Sequence, residues 1–125
     1  MTNITVPVEI ARPTTRLNFF PASKLVVDTG SEMTWVPEAL LRKAGILVRK
    51  KDQTFIMANG QEITRNVGYA IIRAGKFETV DEIVFAQKGD LHLLGSRTLE
   101  GFNAVVDPRA KRLVAAGPMP VAALL

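Results

Sequence analysis

Leu25-Val26-Val27-Asp28-Thr29-Gly30-Ser31 is the segment on which the interpretation of this 125-residue sequence depends. Its apolar residues predict a buried strand, which Asp-Thr-Gly cannot comfortably continue. The strand should therefore end in a sharp turn that holds the Asp28 carboxylate at a fixed point. Thr29 can bond neighbouring backbone, Gly30 permits a ligand or backbone to approach closely, and Ser31 has a hydroxyl that could orient the carboxylate. Taken alone, the tripeptide is more often a tight turn closed by an Asx-type hydrogen bond.

The sequence around this segment predicts many short strands and two short helices. Strands are expected at residues 3–10, 17–20, 24–27, 54–58, 61–74, 77–85, 91–94, 103–106 and 112–114, with Pro21 interrupting the second and third. One helix is expected at residues 37–45, with Pro37 in its first turn, and another at residues 96–102, with Ser96 as its N-cap. This pattern indicates a mainly β fold, closer to a small closed barrel than to a βαβ sheet.

Asn59-Gly60 is the strongest hairpin signal in the sequence, because this dipeptide readily accepts the positive φ angles of a type I′ turn. The returning strand should turn again at residues 75–76. On the strand that follows, Val80, Ile83 and Val84 are expected to be at least half buried, whereas Asp81 is expected at an exposed position.

Composition is consistent with one domain over residues 1–116, followed by a flexible tail or partner-binding arm at residues 117–125. The net charge of +4 would suit an acidic partner, but the basic residues lie beside turns and lack interleaved aromatic residues, so we do not expect nucleic acid to bind. The absence of cysteine excludes disulfides, thiolate nucleophiles and Cys-ligated metals. With one histidine, His92, we expect no metal and no cofactor. Neither a leader nor a membrane span is predicted, and we expect a cytoplasmic protein.

The Asp28 segment is followed, after the hairpin, by Leu93-Leu94-Gly95 and a helix. This ordered set resembles the retropepsin-like (retroviral-like) aspartic proteases, particularly their small bacterial members, over about residues 25–114. The resemblance implies that Leu94 and Gly95 lead into a helix that packs behind the catalytic loop. It also implies that the hairpin carrying Ala58, Asn59 and Gly60 is a flap over the substrate. Viral flaps are richer in glycine, so a less mobile lid is expected here.

Aspartic protease chemistry requires two carboxylates that share one proton, since like charges a few ångströms apart cannot both ionise easily. One carboxylate acts as a base on water while the protonated one polarises the peptide carbonyl. This sequence has one Asp-Thr-Gly, and Asp52, Asp81, Asp90 and Asp107 lack that context. A two-fold homodimer would bring two copies of Asp28 together.

By resemblance, Asp28, Thr29 and Gly30 form the catalytic motif of each subunit. Thr29 would brace the two catalytic loops against each other, and the Gly30 carbonyl would accept a hydrogen bond from the substrate backbone. Ser31 would bond the Asp28 carboxylate and contact the substrate. In the viral enzymes an acidic residue after the motif pairs with an arginine, a role that Glu32 and Arg97 could fill, although Arg97 is displaced by one position and an ordinary surface contact is favoured.

Three functions remain open from the sequence. The leading one is an endopeptidase that hydrolyses peptides bound in an extended conformation. The second is a non-proteolytic dimeric module that binds peptides on the same fold, because the flap is atypical. The third is a nucleic-acid accessory domain, supported only by the basic charge balance. Trp35 is expected at a pocket wall or dimer face, or else as an ordinary partly buried aromatic residue. His92 is expected to be structural or exposed.

Overall fold

The computed structural model describes residues 4–14 and 18–119 of the chain. The fold is mainly β, as predicted, and the elements are β1 (Thr5–Ala11), β2 (Phe20–Val27), β3 (Thr34–Pro37), α1 (Glu38–Lys43), β4 (Lys50–Ile56), β5 (Glu62–Ala74), β6 (Phe77–Ala86), β7 (Leu93–Leu94), α2 (Ser96–Phe102), β8 (Ala104–Asp107) and β9 (Arg112–Ala115). None of the described helices is long and apolar enough to cross a membrane.

Seven strands form one sheet in the order β1-β2-β7-β3-β6-β5-β4, and β1 also pairs with β5. Strands β8 and β9 form a separate antiparallel pair. Two pairings next to the site are parallel: β7 lies beside β2, and β6 lies beside β3. The chain leaves β2 at Asp28 and re-enters the sheet at β3. The segment between them is a loop that joins the end of β2 to the start of β3.

Two apolar clusters share the strands that carry this loop. The main core includes Leu25, Val36, Ile83, Phe85 and Leu94, all fully buried. The second cluster consists of Trp35, Val67, Val84 and Ala86, with Met33, Phe55, Ile63 and Leu93 packed against it. Alternate residues of β3 and β6 therefore serve different clusters, as the period-2 geometry of a strand requires. These strands are covered on both faces and hold the loop rigidly from below.

Several local predictions require correction. Pro21 does not interrupt a strand, since β2 runs through it, and the irregularity lies at Ser23, whose φ of 67° accompanies a register shift against β1. The N-cap of α1 is Pro37 and that of α2 is Gly95, so neither Pro37 nor Ser96 has its predicted position.

The β4–β5 hairpin is present, but its turn is not type I′. The Gly60 amide donates to the Met57 carbonyl at 2.8 Å, and Gly60 alone has a positive φ, of 84°. Ala58, Asn59 and Gly60 therefore form a three-residue loop, in which a type I turn is followed by a left-handed glycine. Asn59 keeps an ordinary φ and uses its Oδ1 to accept from the Gln61 amide at 2.9 Å.

Burial along β6 also differs from the prediction at two positions. Val80 is 61% exposed, because the second cluster covers that face of the strand only from Val84 onward. Asp81 shares the inward face of Ile83, and its side chain is 11% exposed. Ile83 and Val84 are fully buried, as predicted. Residues 120–125 of the predicted flexible tail lie outside the described part of the chain.

Candidate active site

Asp28 follows the last residue of β2, at the position that the sequence predicts. Its amide donates to the Leu94 carbonyl at 3.0 Å, which continues the parallel pairing of β2 with β7 past the end of the strand. The Ser31 amide donates to the Asp28 carbonyl at 3.1 Å and closes the turn. Both backbone groups of Asp28 are thus hydrogen-bonded, the amide to the Leu94 carbonyl and the carbonyl to the Ser31 amide.

The Asp28 carboxylate is half buried and is oriented by the backbone of its own loop. The Gly30 amide donates to Oδ1 at 2.9 Å, which is the Asx-type bond expected of a tight turn. Oδ2 makes no hydrogen bond within residues 4–14 and 18–119. A Cβ on Gly30 would lie 3.3 Å from Oδ1, so a side chain there would crowd the carboxylate. Oδ1 is therefore held by the Gly30 amide, and Oδ2 is available to accept a hydrogen bond from a ligand or water.

Ser31 does not orient Asp28 as expected. Its Oγ donates to the Met33 carbonyl at 2.9 Å, within the segment that leads into β3. Its own carbonyl accepts from the Ser96 amide at 2.7 Å, and the Glu32 carbonyl accepts from the Arg97 amide at 3.1 Å. Ser31 therefore supports the loop by linking it to the start of α2, and the orienting donor for Asp28 is the Gly30 amide.

Leu94 and Gly95 lie directly behind the loop, both buried. A Cβ at Gly95 would lie 2.4 Å from the Met33 carbonyl oxygen and 2.6 Å from that of Glu32. Only glycine permits this approach, because both neighbours are backbone atoms. The predicted packing of β7 and α2 behind the Asp28 loop is present at these two residues.

A chain of buried hydroxyls supports the same junction and was not predicted. The Gly95 amide donates to Thr34 Oγ1 at 2.9 Å, Thr34 Oγ1 lies 2.6 Å from Thr98 Oγ1, and Thr98 Oγ1 donates to Asp81 Oδ2 at 2.9 Å. Both threonines are fully buried. The available signal was the position of Thr34, two residues before the core residue Val36 on the same face of a strand.

A cleft of about 570 Å³ opens in front of Asp28. It is lined by Asp28, Gly30, Ser31, Glu32, Met33, Trp35, Thr54, Phe55, Ile56, Met57, Ala58, Asp90, Leu91 and Leu93. The β4–β5 hairpin contributes one wall, through the end of β4 and the start of its turn. Of the residues assigned to substrate contact from the sequence, Gly30, Ser31 and Ala58 line the cleft, whereas Asn59 and Gly60 do not. Thr29 is exposed outside it.

Trp35 is 7% exposed and forms part of the cleft wall, which supports the pocket-wall prediction. Its ring meets Phe55 edge to face, with centroids 5.1 Å apart. Phe55 is on β4, so this contact joins the hairpin to the strand that follows the Asp28 loop. Ile56 and Leu91, at 75% and 71% exposure, form an apolar rim.

A bidentate ion pair joins the hairpin to the loop before β7. Arg65 Nε and Nη2 donate to Asp90 Oδ2 and Oδ1 at 2.6 and 2.7 Å, and the Gln87 amide also donates to Oδ2 at 2.7 Å. The side chains are 18% and 10% exposed. The Arg65 guanidinium lowers the pKa of Asp90 despite partial burial, and Asp90 raises the pKa of Arg65.

Glu32 and Arg97 do not form an ion pair. Arg97 Nη1 donates to Glu82 Oε2 at 3.1 Å, and Nη2 lies 3.9 Å from Asp81 Oδ1. Lys50 also binds Glu82, which lowers the pKa of Glu82. His92 is exposed, and its carbonyl accepts from the Val26 amide at 3.1 Å. The described residues contain no group of three or more potential metal ligands.

This fold and site define a protein of the retropepsin type, in which one Asp-Thr-Gly loop is supported by a helix with a glycine N-cap. Residues 15–101 match the family model described as "gag-polyprotein putative aspartyl protease", and the chain belongs to that family. No curated protein matches the sequence.

Solved structures show the same fold at low sequence identity. The retroviral protease-like domain of Ddi1 from Leishmania major is 15% identical, with a TM-score of 0.56 over 99% of each chain. The EIAV protease complexed with the inhibitor HBY-793 is 19% identical, with a TM-score of 0.53 over 79% of this chain and 86% of that chain. These likenesses support the retropepsin-like fold that the sequence predicts.

Proposed function

We propose that this protein is an aspartic endopeptidase that hydrolyses peptide bonds as a homodimer. The observation that carries the proposal is the Asp28 carboxylate, which is held at the mouth of an apolar cleft with one oxygen bonded to Gly30 and the other available. Membership of an aspartyl protease family supports the same chemistry.

The dimer is part of the proposal because the chemistry uses a matched pair of carboxyl groups and the sequence has one Asp-Thr-Gly. Asp90 also lines the cleft, but it accepts hydrogen bonds from Arg65 and Gln87, so we do not assign it as the proton-sharing partner. Glu32 lines the cleft outside the Asp-Thr-Gly turn. Two-fold symmetry would place a second Asp28 beside the first and make a closed pair of identical loops.

The proposed reaction begins with water held between the two Asp28 carboxyl groups, one ionised and one protonated. The ionised carboxylate removes a proton as the water oxygen attacks the peptide carbonyl carbon, and the other carboxyl gives its proton to the carbonyl oxygen. The resulting gem-diol loses a proton to the ionised carboxylate as the carbon–nitrogen bond breaks, and the leaving nitrogen takes up the proton of the other carboxyl group. The pair finishes with one shared proton, as it began.

The β4–β5 hairpin is proposed to act as the flap over an extended peptide. Thr54, Phe55, Ile56, Met57 and Ala58 already line the cleft from this hairpin. Its ion pair to the 87–90 loop ties the hairpin to the rest of the fold and favours a lid of restricted mobility. Thr29, exposed beside Asp28, is the residue proposed to brace the partner loop.

The deciding experiment compares Asp28→Asn with Asp52→Asn on a peptide library. Asp52 is exposed with a φ of 51°, which asparagine tolerates, and it does not line the cleft. Asp28→Asn should abolish cleavage while the dimer persists in sedimentation, and Asp52→Asn should leave cleavage unchanged. Cleavage by Asp28→Asn at the parent rate would refute the assignment. Peptide binding without cleavage by the parent would instead favour a non-proteolytic binding module.

The proton-sharing pair also predicts a bell-shaped pH dependence with its maximum on the acidic side, because catalysis needs one proton on two neighbouring carboxylates. The measurement is kcat/KM from pH 3 to 9 at a fixed dimer concentration. A rate that continues to rise into alkaline pH would contradict a carboxylate pair.

A further inference from the structure

We infer that Glu32 is a specificity-determining residue that selects a basic side chain of the bound peptide. The inference rests on the proposed cleft function and adds a substrate class to it. The starting observation is that Glu32 is exposed and lines the cleft two residues beyond Gly30. A peptide lying across the Asp28 loop would therefore pass this residue.

Glu32 is not neutralised by Arg97, the arginine considered as its partner from the sequence. The Arg97 guanidinium is turned toward β6, where it contacts Glu82 and Asp81. Its Nη1 also lies 3.2 Å from Met33 Sδ. In this cluster two cations, Arg97 and Lys50, face two carboxylates, so the cluster is balanced without Glu32. Within the described residues, Glu32 takes part in no ion pair.

The other carboxylate on the cleft wall is already occupied. Both oxygens of Asp90 accept from Arg65, which leaves little negative potential for a ligand. Asp28 is assigned to the reaction itself. Among the residues that the structure describes, Glu32 is thus the remaining acidic group of the cleft, and none of those that line it carries a positive charge.

The rest of the wall determines where the cation would lie. Met33, Trp35, Phe55 and Leu93 form an apolar surface beside Glu32. A lysine or arginine side chain could lay its methylene stem on this surface and place its charged end at the Glu32 carboxylate. An acidic side chain at the same position would meet uncompensated negative charge, so the site would discriminate by repulsion as well as by attraction.

The test measures binding and cleavage separately, so that it does not depend on turnover. The Asp28→Asn protein is titrated with sets of three peptides that differ only by lysine, norleucine or glutamate at one position, taken in turn, and the parent is assayed for kcat/KM on the same sets. The variants are Glu32→Gln and Glu32→Lys. The matched control is Glu100→Gln, which removes one exposed carboxylate from α2 outside the cleft.

At one position the lysine peptide should bind about 3- to 5-fold more tightly than its norleucine partner, in the range of a solvent-accessible ion pair. Glu32→Gln should abolish this preference, Glu32→Lys should favour glutamate instead, and Glu100→Gln should retain the parent preference. Raising the salt concentration should weaken the lysine preference.

Equal affinity for the lysine and norleucine peptides at every position, or a lysine preference that survives in Glu32→Gln, would overturn the inference. So would a Glu32→Gln variant that dissociates into monomers more readily while keeping the preference, because Glu32 would then serve the subunit contact. Preferential binding without cleavage would leave this inference standing and refute the proteolytic function. Cleavage without a lysine preference would refute this inference and leave the proteolytic function standing. A protein that neither binds nor cleaves the peptides would refute both the inference and the proteolytic function.

Discussion

Thr34 Oγ1 and Thr98 Oγ1 lie 2.6 Å apart, both fully buried, and join β3 to α2 behind the Asp28 loop. The neighbouring bonds determine the direction of this one. Thr98 has a single hydroxyl proton, which it donates to Asp81 Oδ2, so Thr34 must donate to Thr98 while it accepts from the Gly95 amide. The loop is therefore connected through two hydroxyls to a carboxylate on β6.

Thr98→Val should destabilise the protein by about 1–3 kcal/mol, because it leaves the Thr34 hydroxyl proton and Asp81 Oδ2 buried without their partner. Valine has nearly the shape of threonine, so the loss reports hydrogen bonding rather than packing. Urea unfolding at fixed protein concentration measures it. Thr98→Ser is the control, since it retains the hydroxyl and loses only a methyl group. Equal losses in the two variants would show that the hydroxyl chain contributes little.

Gly95→Ala should both destabilise the fold and abolish cleavage. The new Cβ would lie 2.4 Å from the Met33 carbonyl oxygen, so the segment carrying Glu32 and Met33 must shift. Overpacking of this kind costs about 1–3 kcal/mol, and movement of the loop displaces Asp28. Gly75→Asn is the control, because Gly75 has open space and a φ of 59° that asparagine accepts. A fully active Gly95→Ala protein would show that the loop tolerates displacement.

The Arg65–Asp90 pair should stabilise the protein at neutral pH and lose this effect in strong acid. The pKa of Asp90 is lowered from an ordinary value of 3.8 by Arg65, so its contribution is present above that pH and disappears as pH falls through the lowered value. Asp90→Asn should cost roughly 2 kcal/mol at pH 7. The difference in unfolding free energy between Asp90→Asn and the parent should become smaller below about pH 3.8. Unfolding of both proteins at pH 7 and pH 3 measures this, with Asp52→Asn as control.

The fold could be predicted from the sequence wherever short-range patterns decided it. The apolar run before Asp28 and the hairpin around Asn59-Gly60 each carry their signal within a few residues, and both are present in the structure. The packing of Leu94 and Gly95 behind the loop was implied by the family resemblance. The type of the hairpin turn was not predicted correctly, because Asn59 and Gly60 fit both a two-residue and a three-residue loop. Strand register decides between these, and register is a tertiary property.

The parts of the site that escaped prediction are long-range contacts. Asp81 was expected at the surface, yet it lies on the inward face and meets Thr98 from a helix 17 residues away. Arg97 was considered a partner for Glu32, but it binds carboxylates of β6 instead. Neither outcome has a local sequence signal, since each depends on which strand lies opposite α2. The shared proton and the second Asp28 remain predictions.

Trp35 and Phe55 should be energetically coupled, because their edge-to-face contact at 5.1 Å is where the β4–β5 hairpin packs against β3. A cycle of Trp35→Leu, Phe55→Leu and the double variant isolates this pair, since each change removes one aromatic ring and keeps an apolar side chain. Aromatic pairs of this kind contribute about 0.5–1.5 kcal/mol beyond burial, and we expect a coupling in that range. If the hairpin covers the substrate, Phe55→Leu should raise KM more than it lowers kcat, because it loosens a cleft wall without touching the carboxylates.

The equivalent change Phe77→Leu, at the stacked Phe77–Phe102 pair away from the cleft, should lower stability and leave KM unchanged. Equal effects of Phe55→Leu and Phe77→Leu on KM would mean that the Trp35–Phe55 contact serves folding alone and that the hairpin takes no part in holding the peptide.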